Sequence, residues 1–241
     1  MKTPLLFFVF ALFTRELCAQ DSLDLGDLSS PLGYAQSYKT HGKFNASFLN
    51  PVANKGLYAT SFSKELNCGI YSEDMAYALI NEQQVDFSKY LDVVAKMYAE
   101  SGVPFLDAGS GKRIRSNKEN TDSIYSILSE RYFITDQFLE EKSRKEVTLM
   151  VNIGANIEAL YLFCKDAETN KSQGLAKKLA AEKPLLEQYE TLLAKFPADG
   201  NYDVLLKEIL NLSSLLPSKM TDEDVKKFSN AVITLREKMV K

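Results

Sequence analysis

The sequence predicts an all-α protein, a compact bundle of six or seven helices around a central buried helix at residues 147–163. Three observations favour this fold class. From residue 55 onward apolar residues recur at helical spacing, and no strand-length run of alternating Val, Ile or Thr interrupts them. The hydrophobic content is 45%, with 14 Phe and 12 Tyr, which is enough for a substantial core. The chain also lacks a fixed-period repeat, which favours a bundle over a solenoid.

The first nineteen residues have the layout of a secretory signal peptide. Lys2 provides a basic start, residues 4–13 form a ten-residue apolar stretch, and Ala19 offers a small residue at a cleavage site. Ten apolar residues are too few to span a bilayer. We therefore expect cleavage after Ala19 and export of a chain beginning at Gln20 to the periplasm, the cell envelope or the exterior.

A second processing route would attach lipid at Cys18, as in bacterial lipoproteins. That route requires small, uncharged residues before the cysteine, and this chain has Arg15, Glu16 and Leu17 there. We therefore expect a soluble exported protein without a lipid anchor at Cys18.

Residues 20–54 are expected to form a flexible N-terminal arm, followed by a single α-helical domain at residues 55–241. The arm shows no sustained hydrophobic period and is rich in Ser, Asp and Asn, which is typical of loops. Its helix-breaking and turn-forming residues are Gly26, Pro31, Gly33, Gly42 and Pro51.

The first part of the helical domain contains three predicted elements. Residues 57–82 are expected to form up to two helices, and Gly69 is expected to be either a break between them or a point of close packing. A further helix at residues 85–101 ends before a Gly-Val-Pro sequence, and a Gly followed by Pro is common after a helix C-terminus. Residues 105–119 are expected to form a loop.

The remaining helices are expected at residues 121–142, 145–169, 173–195, 202–216 and 221–240. The last of these opens with Thr221, and Asp224 follows three residues later. This spacing predicts a capping box in which Asp replaces the usual Glu or Gln.

The stretch at residues 147–163 is apolar on nearly every side and leaves only a narrow polar seam at Asn152 and Asn156. A helix of this kind belongs inside a bundle. Gly154 is a poor helix former, and we expect it where a neighbouring helix packs closely. The two asparagines and Glu158 interrupt the longest apolar run after the signal, which argues against a transmembrane segment in the mature chain.

Glu158 and Arg131 are charged residues on apolar helix faces. Glu158 lies within the apolar face of the central helix, and Arg131 lies in the middle of the apolar stripe of residues 121–142. A buried charge must be paired or hydrogen-bonded, so we expect these two side chains to meet. The favoured interpretation is an internal ion pair that fixes helix register, and the alternative is a ligand-binding or catalytic carboxylate.

Two further pairs of polar residues could take part in a functional site, Asn152 with Asn156 as ligand contacts and Glu73 with Asp74 as an acid–base pair. Asn152 and Asn156 are spaced i and i+4 and share the seam of the central helix, where such side chains more often bond to backbone than to a ligand. Glu73 and Asp74 are adjacent, so they point about 100° apart on a helix and do not form a shared acid–base pair. We expect these two carboxylates to lie on a solvated edge.

Cys68 and Cys164 are the cysteines that remain after cleavage of the signal. In an oxidising compartment they are a candidate disulfide. The favoured interpretation is that both are small buried side chains on helices too far apart to be bridged.

Several kinds of chemistry are excluded or disfavoured by the residues present. His41 is the only histidine, which excludes histidine-based metal sites and a Ser-His-Asp triad. Residues 109–112 (GSGK) lack the first Gly and the final Ser or Thr of a phosphate-binding loop. The net charge of −3 gives no footprint for nucleic acid. No cofactor and no metal are expected.

Three segments, LNCGIYSEDMAYA at residues 66–78, TDSIYSILS at 121–129 and VNIGANIEALYL at 151–162, resemble a family of exported, all-helical bacterial envelope proteins of uncharacterised function. The resemblance extends over most of residues 55–170, and its motifs are helical packing patterns. It implies an α-helical bundle in the periplasm or on the cell envelope. Members often carry a lipid-attachment sequence, from which this chain departs, and the family supplies no catalytic residues to transfer.

The expected function is that of an exported, non-catalytic protein, a periplasmic or envelope-associated module that binds a protein or small-molecule partner. The first alternative is a bundle that binds a small molecule or lipid in an internal pocket around Glu158. The second alternative is a hydrolase built from carboxylates.

Overall fold

The structure, a computed structural model, describes residues 24–25, 28, 30–38, 44–170, 175–197 and 200–241. This part of the chain contains ten α-helices and no strand, which confirms the prediction of an all-α compact bundle. The helices are α1 (Pro31–Tyr38), α2 (Ser61–Ile80), α3 (Gln84–Glu100), α4 (Ala108–Ser116), α5 (Thr121–Glu141), α6 (Lys145–Asn170), α7 (Leu175–Ala181), α8 (Lys183–Leu193), α9 (Gly200–Ser214) and α10 (Asp222–Met239). Two short 3-10 helices, Ala46–Phe48 and Val52–Gly56, precede α2.

Helix α6 is the central helix of the bundle. Helices α1, α2, α5 and α10 pack against it, and every residue from 147 to 164 except Tyr161 is buried. By length and composition Lys145–Asp166 is apolar enough to cross a membrane, but 94% of its most apolar window is buried inside the bundle. The core helix of a soluble protein has the same properties, because it is apolar on all sides.

Two glycines allow α2 and α6 to cross closely. A β-carbon on Gly69 would lie 2.0 Å from the carbonyl oxygen of Val151, and a β-carbon on Gly154 would lie 2.0 Å from that of Leu66. Any larger residue would therefore collide with backbone. The prediction for Gly154 is confirmed, and Gly69 is a close-packing point within one continuous helix rather than a break.

The hydrophobic core is divided by α6 into two main clusters. One face of α6 joins a cluster formed with α1, α2, α3 and α5. The opposite face joins a cluster formed with α8, α9 and α10. Any polar group on α6 is therefore enclosed by helices on both sides.

Part of the expected N-terminal arm is packed into the bundle. Helix α1 lies against α2 and α6, with Leu32 and Ala35 buried, and Asn50 is buried as well. Pro31 occupies the first position of α1, where a proline is tolerated because that N–H has no intrahelical partner. Residues 1–23, with the predicted signal and Cys18, lie outside the described residues, as does His41.

Two helix boundaries differ from those predicted. Residues 105–119 are not all loop, because Asp107 caps α4 by accepting a hydrogen bond from the Ser110 N–H at 2.7 Å. The predicted helix at residues 173–195 is divided into α7 and α8. Pro184 lies in the first turn of α8, and its ring and missing N–H prevent the helix from continuing through it.

The predicted capping box at the start of α10 is confirmed. The Asp224 N–H donates to Thr221 Oγ1 at 3.2 Å, and the Thr221 N–H donates to Asp224 Oδ2 at 2.9 Å. Thr60 and Ser63 form the equivalent box at the start of α2. Each box supplies partners for backbone N–H groups that a helix start leaves unpaired.

Candidate functional site

The candidate site is a buried polar cluster around Glu158, which lies on α6 with no exposed surface. Arg236 of α10 donates to both carboxylate oxygens of Glu158, from Nε to Oε2 and from Nη2 to Oε1, each at 2.8 Å. The Arg236 guanidinium also lies over the ring of Tyr161, 4.4 Å from its centroid. A two-pronged arginine is a strong partner for a buried carboxylate, so Glu158 is buried and paired as expected, although with Arg236 and not with Arg131.

Arg131 is not the partner of Glu158, and this part of the prediction was wrong. Its Nε donates to the carbonyl oxygen of Phe105 at 2.7 Å, and its Nη2 donates to that of Pro104 at 3.3 Å. Its Nη1 lies 2.8 Å from Asp107, whose side chain is 56% exposed. The helical wheel correctly placed Arg131 on the inner face of α5, but it could not identify the partner. The partners of Arg131 lie in the segment between α3 and α4.

Glu73 and Asp74 are both buried, so the expectation of a solvated edge was wrong as well. Their exposed fractions are 1% and 0%. Helix α2 is covered by α1, α3 and α6, and its residues from 65 to 80 are all buried except Tyr77. Adjacent side chains that point about 100° apart can therefore both face the interior.

Asp74 and Glu158 meet at the centre of the cluster. The Asp74 side chain is within hydrogen-bonding reach of Glu158, and its Oδ2 accepts from the Asn50 N–H at 3.0 Å. Burial raises the pKa of Asp74 well above its usual range, and the negative charge of Glu158 raises it further. Burial also raises the pKa of Glu73, with a second contribution from Glu158.

Asn50 connects this cluster to the segment before α2. Its Nδ2 donates to the Tyr58 hydroxyl at 2.9 Å, and its carbonyl oxygen accepts from the Tyr90 hydroxyl at 2.9 Å. Its Oδ1 accepts from Asn54 Nδ2 at 3.0 Å. Together with the contact to Asp74, these bonds use all four polar groups of Asn50, which explains how a fully buried asparagine is tolerated.

The predicted polar seam of α6 lies on a different face from Glu158 and is filled by local contacts. Asn152 Nδ2 donates to the Thr148 carbonyl at 2.9 Å, as expected for an asparagine that bonds to its own helix. Asn156 Nδ2 donates to Glu182 Oε2 at 3.4 Å. Neither amide oxygen accepts a hydrogen bond from any residue that the structure describes.

Two buried tyrosines cover this seam. The hydroxyls of Tyr34 on α1 and Tyr189 on α8 lie 2.8 Å apart, and Tyr189 also donates to the Asn152 carbonyl at 3.3 Å. This chain of contacts joins α1, α6 and α8. It does not include Glu158, so the tentative ligand residues Glu158, Asn152, Asn156 and Arg131 do not converge on one site.

Cys68 and Cys164 are both free and buried. Cys68 contacts the hydroxyls of Ser72 and Tyr98, whereas Cys164 contacts that of Ser229. The tentative disulfide is therefore not formed, because the two thiols lie in different core clusters on different faces of α6.

The part of the chain that the structure describes contains no assembled metal site and no phosphate-binding loop. That part holds no group of three or more His, Cys, Asp or Glu residues suited to a metal ion. Residues 109–112 lie within α4, and the adjacent Arg113 forms a surface ion pair with Glu130 at 2.8 Å.

Arg236 was not among the residues predicted to form the site, although the sequence carries a signal for it. Arg236 interrupts the apolar stripe of α10, which contains Phe228, Val232 and Leu235. Arg131 interrupts the stripe of α5 in the same way. Asn50 had no such signal, because it lies outside any periodic segment.

Comparisons with protein-family models, with curated proteins and with solved structures found no match for this chain. The resemblance to exported envelope proteins stays a prediction.

The cluster is suited to holding a proton and fixing helices in place. Two adjacent carboxyls with different environments are an arrangement used in acid–base catalysis. A substrate must reach at least one of them, however, and Asp74 and Glu158 both have no exposed surface.

Proposed function

We propose that this protein is an exported, non-catalytic helical module of the periplasm or cell envelope that acts by binding a partner through its surface. The observation that carries the proposal is the enclosure of Glu158, whose two oxygens are occupied by Arg236 and which has no exposed surface. The carboxylate with the most unusual position in the sequence therefore has a structural partner. Exposed apolar side chains such as Phe133 and Val204 offer surface positions at which a partner could pack.

A bundle that binds a small molecule or lipid internally is the alternative. The observation in its favour is the pair of amide oxygens of Asn152 and Asn156, which accept no hydrogen bond from the described residues. A ligand with two donors would satisfy both oxygens, as buried polar groups require. A carboxylate-based hydrolase would need an open cleft at Asp74 and Glu158.

Export is tested by expressing the full chain in a Gram-negative host and determining its N-terminus and location. The expected product begins at Gln20 and lies in the periplasmic fraction. The Phe8→Asp variant, which places a charge within the apolar stretch of the signal, is expected to stay in the cytoplasm as the full-length chain. A product that keeps Met1 in the cytoplasm would overturn export. A product that begins at an acylated Cys18 in the membrane fraction would replace soluble export with anchoring.

Partner binding is tested by photo-crosslinking in cells of the source organism. Phe133 and Val204 are exposed by 63% and 57%, and a photoreactive residue at either position is expected to form a discrete crosslinked species. The polar position Lys89 serves as a control. The internal ligand would be favoured by two results together. No position would give a discrete crosslinked species, and native mass spectrometry would show a bound small molecule that the Asn156→Leu variant loses.

A further inference from the structure

Helix α1 lies against the polar seam of α6, the strip that carries Asn152 and Asn156. Tyr34 of α1 packs against Ala155 and Ala159, which lie on the same face of α6 as the two asparagines, three or four residues away along the helix. The two main core clusters bury large apolar side chains on other faces of α6. On α6, departure of α1 would therefore expose alanines and amides rather than large apolar side chains.

Helix α1 is short, and its packing holds it in place. It has eight residues, and a helix of this length is marginal on its own in water. The Tyr34 and Tyr189 hydroxyls lie 2.8 Å apart, and the Tyr125 hydroxyl donates to the Leu32 carbonyl at 3.3 Å. Among the residues of α1 whose side chains are described, those that are buried are Pro31, Leu32, Tyr34 and Ala35. Because its helical structure depends on docking, we expect both to be lost together.

The seam next to α1 contains two acceptors that the closed bundle leaves unused. Asn152 and Asn156 are 4% and 0% exposed, and their amide oxygens accept no hydrogen bond from any residue that the structure describes. A buried polar atom without a partner is unfavourable, whereas water at an open seam donates to such oxygens. Hydration of the seam therefore offsets part of the cost of removing α1.

We propose that α1 is a detachable strap, which leaves the bundle as a unit while the other helices stay folded and so opens the seam of α6 to molecules from solvent. The proposal goes beyond partner binding, since it concerns access to the interior, and it rests on neither candidate function. Local opening of this kind occurs where an element buries few side chains and the structure beneath it is stable without it. Helix α6 meets the second condition, because α2, α5 and α10 also pack against it.

The reactivity of a thiol placed under α1 tests the strap. The Ala159→Cys variant introduces a thiol at a position that is 0% exposed and in contact with Tyr34. Cys164 is the matched reference on the same helix, because it is free and buried in the cluster formed with α8, α9 and α10. The folded protein is treated with iodoacetamide, and labelling at each position is followed by peptide mass spectrometry and divided by the rate in the unfolded chain.

The thiol at position 159 is expected to be labelled at least about tenfold faster than Cys164, because departure of α1 exposes the first thiol and not the second. Global unfolding exposes both thiols, so equal corrected rates would overturn the proposal. Both rates come from the same molecule, so a loss of overall stability caused by the substitution is detected at Cys164.

A pair of tyrosine substitutions in the Ala159→Cys background identifies the contact that holds the strap. Tyr34→Phe removes the hydroxyl contact with Tyr189 and is expected to speed labelling at position 159 by about two- to tenfold, as loss of one hydrogen bond implies. Tyr90→Phe is the matched control, because it removes a buried tyrosine hydrogen bond to the Asn50 carbonyl, on α3. It is expected to leave the rate at position 159 unchanged. No acceleration by Tyr34→Phe, or equal acceleration by both substitutions, would contradict the strap.

Hydrogen exchange of the wild-type protein gives a test that needs no variant. The backbone amides of residues 35–38 in α1 are expected to share one protection factor, at least about tenfold below those of residues 150–160 in α6 and 186–193 in α8. Protection of α1 equal to that of α6 would rule out separate opening. Equal protection of α1 and α8 would also rule it out, since α1 would then not move by itself.

Discussion

Arg131 and Arg236 are equally buried, at 7% exposure each, but their partners differ. Arg236 binds a carboxylate that has no exposed surface, so both charges of the pair are removed from water. Arg131 binds two backbone carbonyls and a carboxylate at the surface, where water screens the charge. An arginine in an apolar stripe is therefore buried in both cases, but its contribution to stability depends on whether its partner is buried too.

The largest expected effect comes from Arg236→Met, which leaves Glu158 as an uncompensated buried charge. The expected loss is about 3–5 kcal/mol in the free energy of unfolding at neutral pH. Urea unfolding followed by circular dichroism measures it. The double variant Arg236→Met with Glu158→Leu removes both charges and is expected to recover much of the loss. A double variant no more stable than the single one would contradict this account of Arg236.

Arg131→Met is expected to cost less, about 1–3 kcal/mol, because it leaves backbone carbonyls without donors but leaves no charge buried. The same urea measurement applies. If Arg131→Met destabilises the protein more than Arg236→Met, the distinction between the two arginines fails.

The pH dependence of stability is expected to have opposite signs for the buried carboxyl of Glu65 and for the exposed carboxylate of Asp107 beside Arg131, because their pKa values are shifted in opposite directions. Glu65 is a buried residue of α2, and this burial raises its pKa from 4.5 to about 7. The unfolded chain therefore releases this proton between pH 4.5 and about 7 while the folded protein keeps it, so stability falls as the pH rises through this window. We expect a smaller decrease in melting temperature over this range for Glu65→Gln than for the wild type. Equal slopes in the two proteins would exclude Glu65 as a contributor.

Asp107→Asn is expected to have the smallest effect. The pKa of Asp107 is lowered, chiefly by the hydrogen bond from the Ser110 N–H, so its contribution exists above the ordinary aspartate pKa and is lost in acid. Asparagine also caps a helix, and the exposed ion pair with Arg131 contributes little. The melting temperature of Asp107→Asn should stay within error of the wild type, whereas Asp107→Ala should melt lower. A large decrease for Asp107→Asn would mean that the surface ion pair matters.

Much of the fold was predictable because its signals are local. Helical spacing predicted α3, α5, α6, α9 and α10 to within a few residues, and the capping box predicted the start of α10. Helices α1 and α4 were missed since their glycines and prolines are typical of loops. Their stability comes from packing and capping, which local propensity does not report.

The candidate site was less predictable. Glu158 was singled out correctly, because a charge within an apolar helix face must be compensated wherever that face packs. The identity of its partners depended on which helices are neighbours. Asp74 and Arg236 are far from Glu158 in sequence, and Asn50 comes from a segment with no periodic pattern.

Three features were evident from the sequence alone, namely the helical class, the burial of α6 and the need for a counter-charge at Glu158. These follow from hydrophobic spacing and from the cost of burying charge, both of which act at the level of a single helix. The helix packing was needed to show that Arg236 supplies the charge, that Asp74 lies beside the pair, and that Cys68 and Cys164 are not bonded to each other. Those outcomes depend on the packing order of helices around α6, which is set by side-chain fit across the whole core.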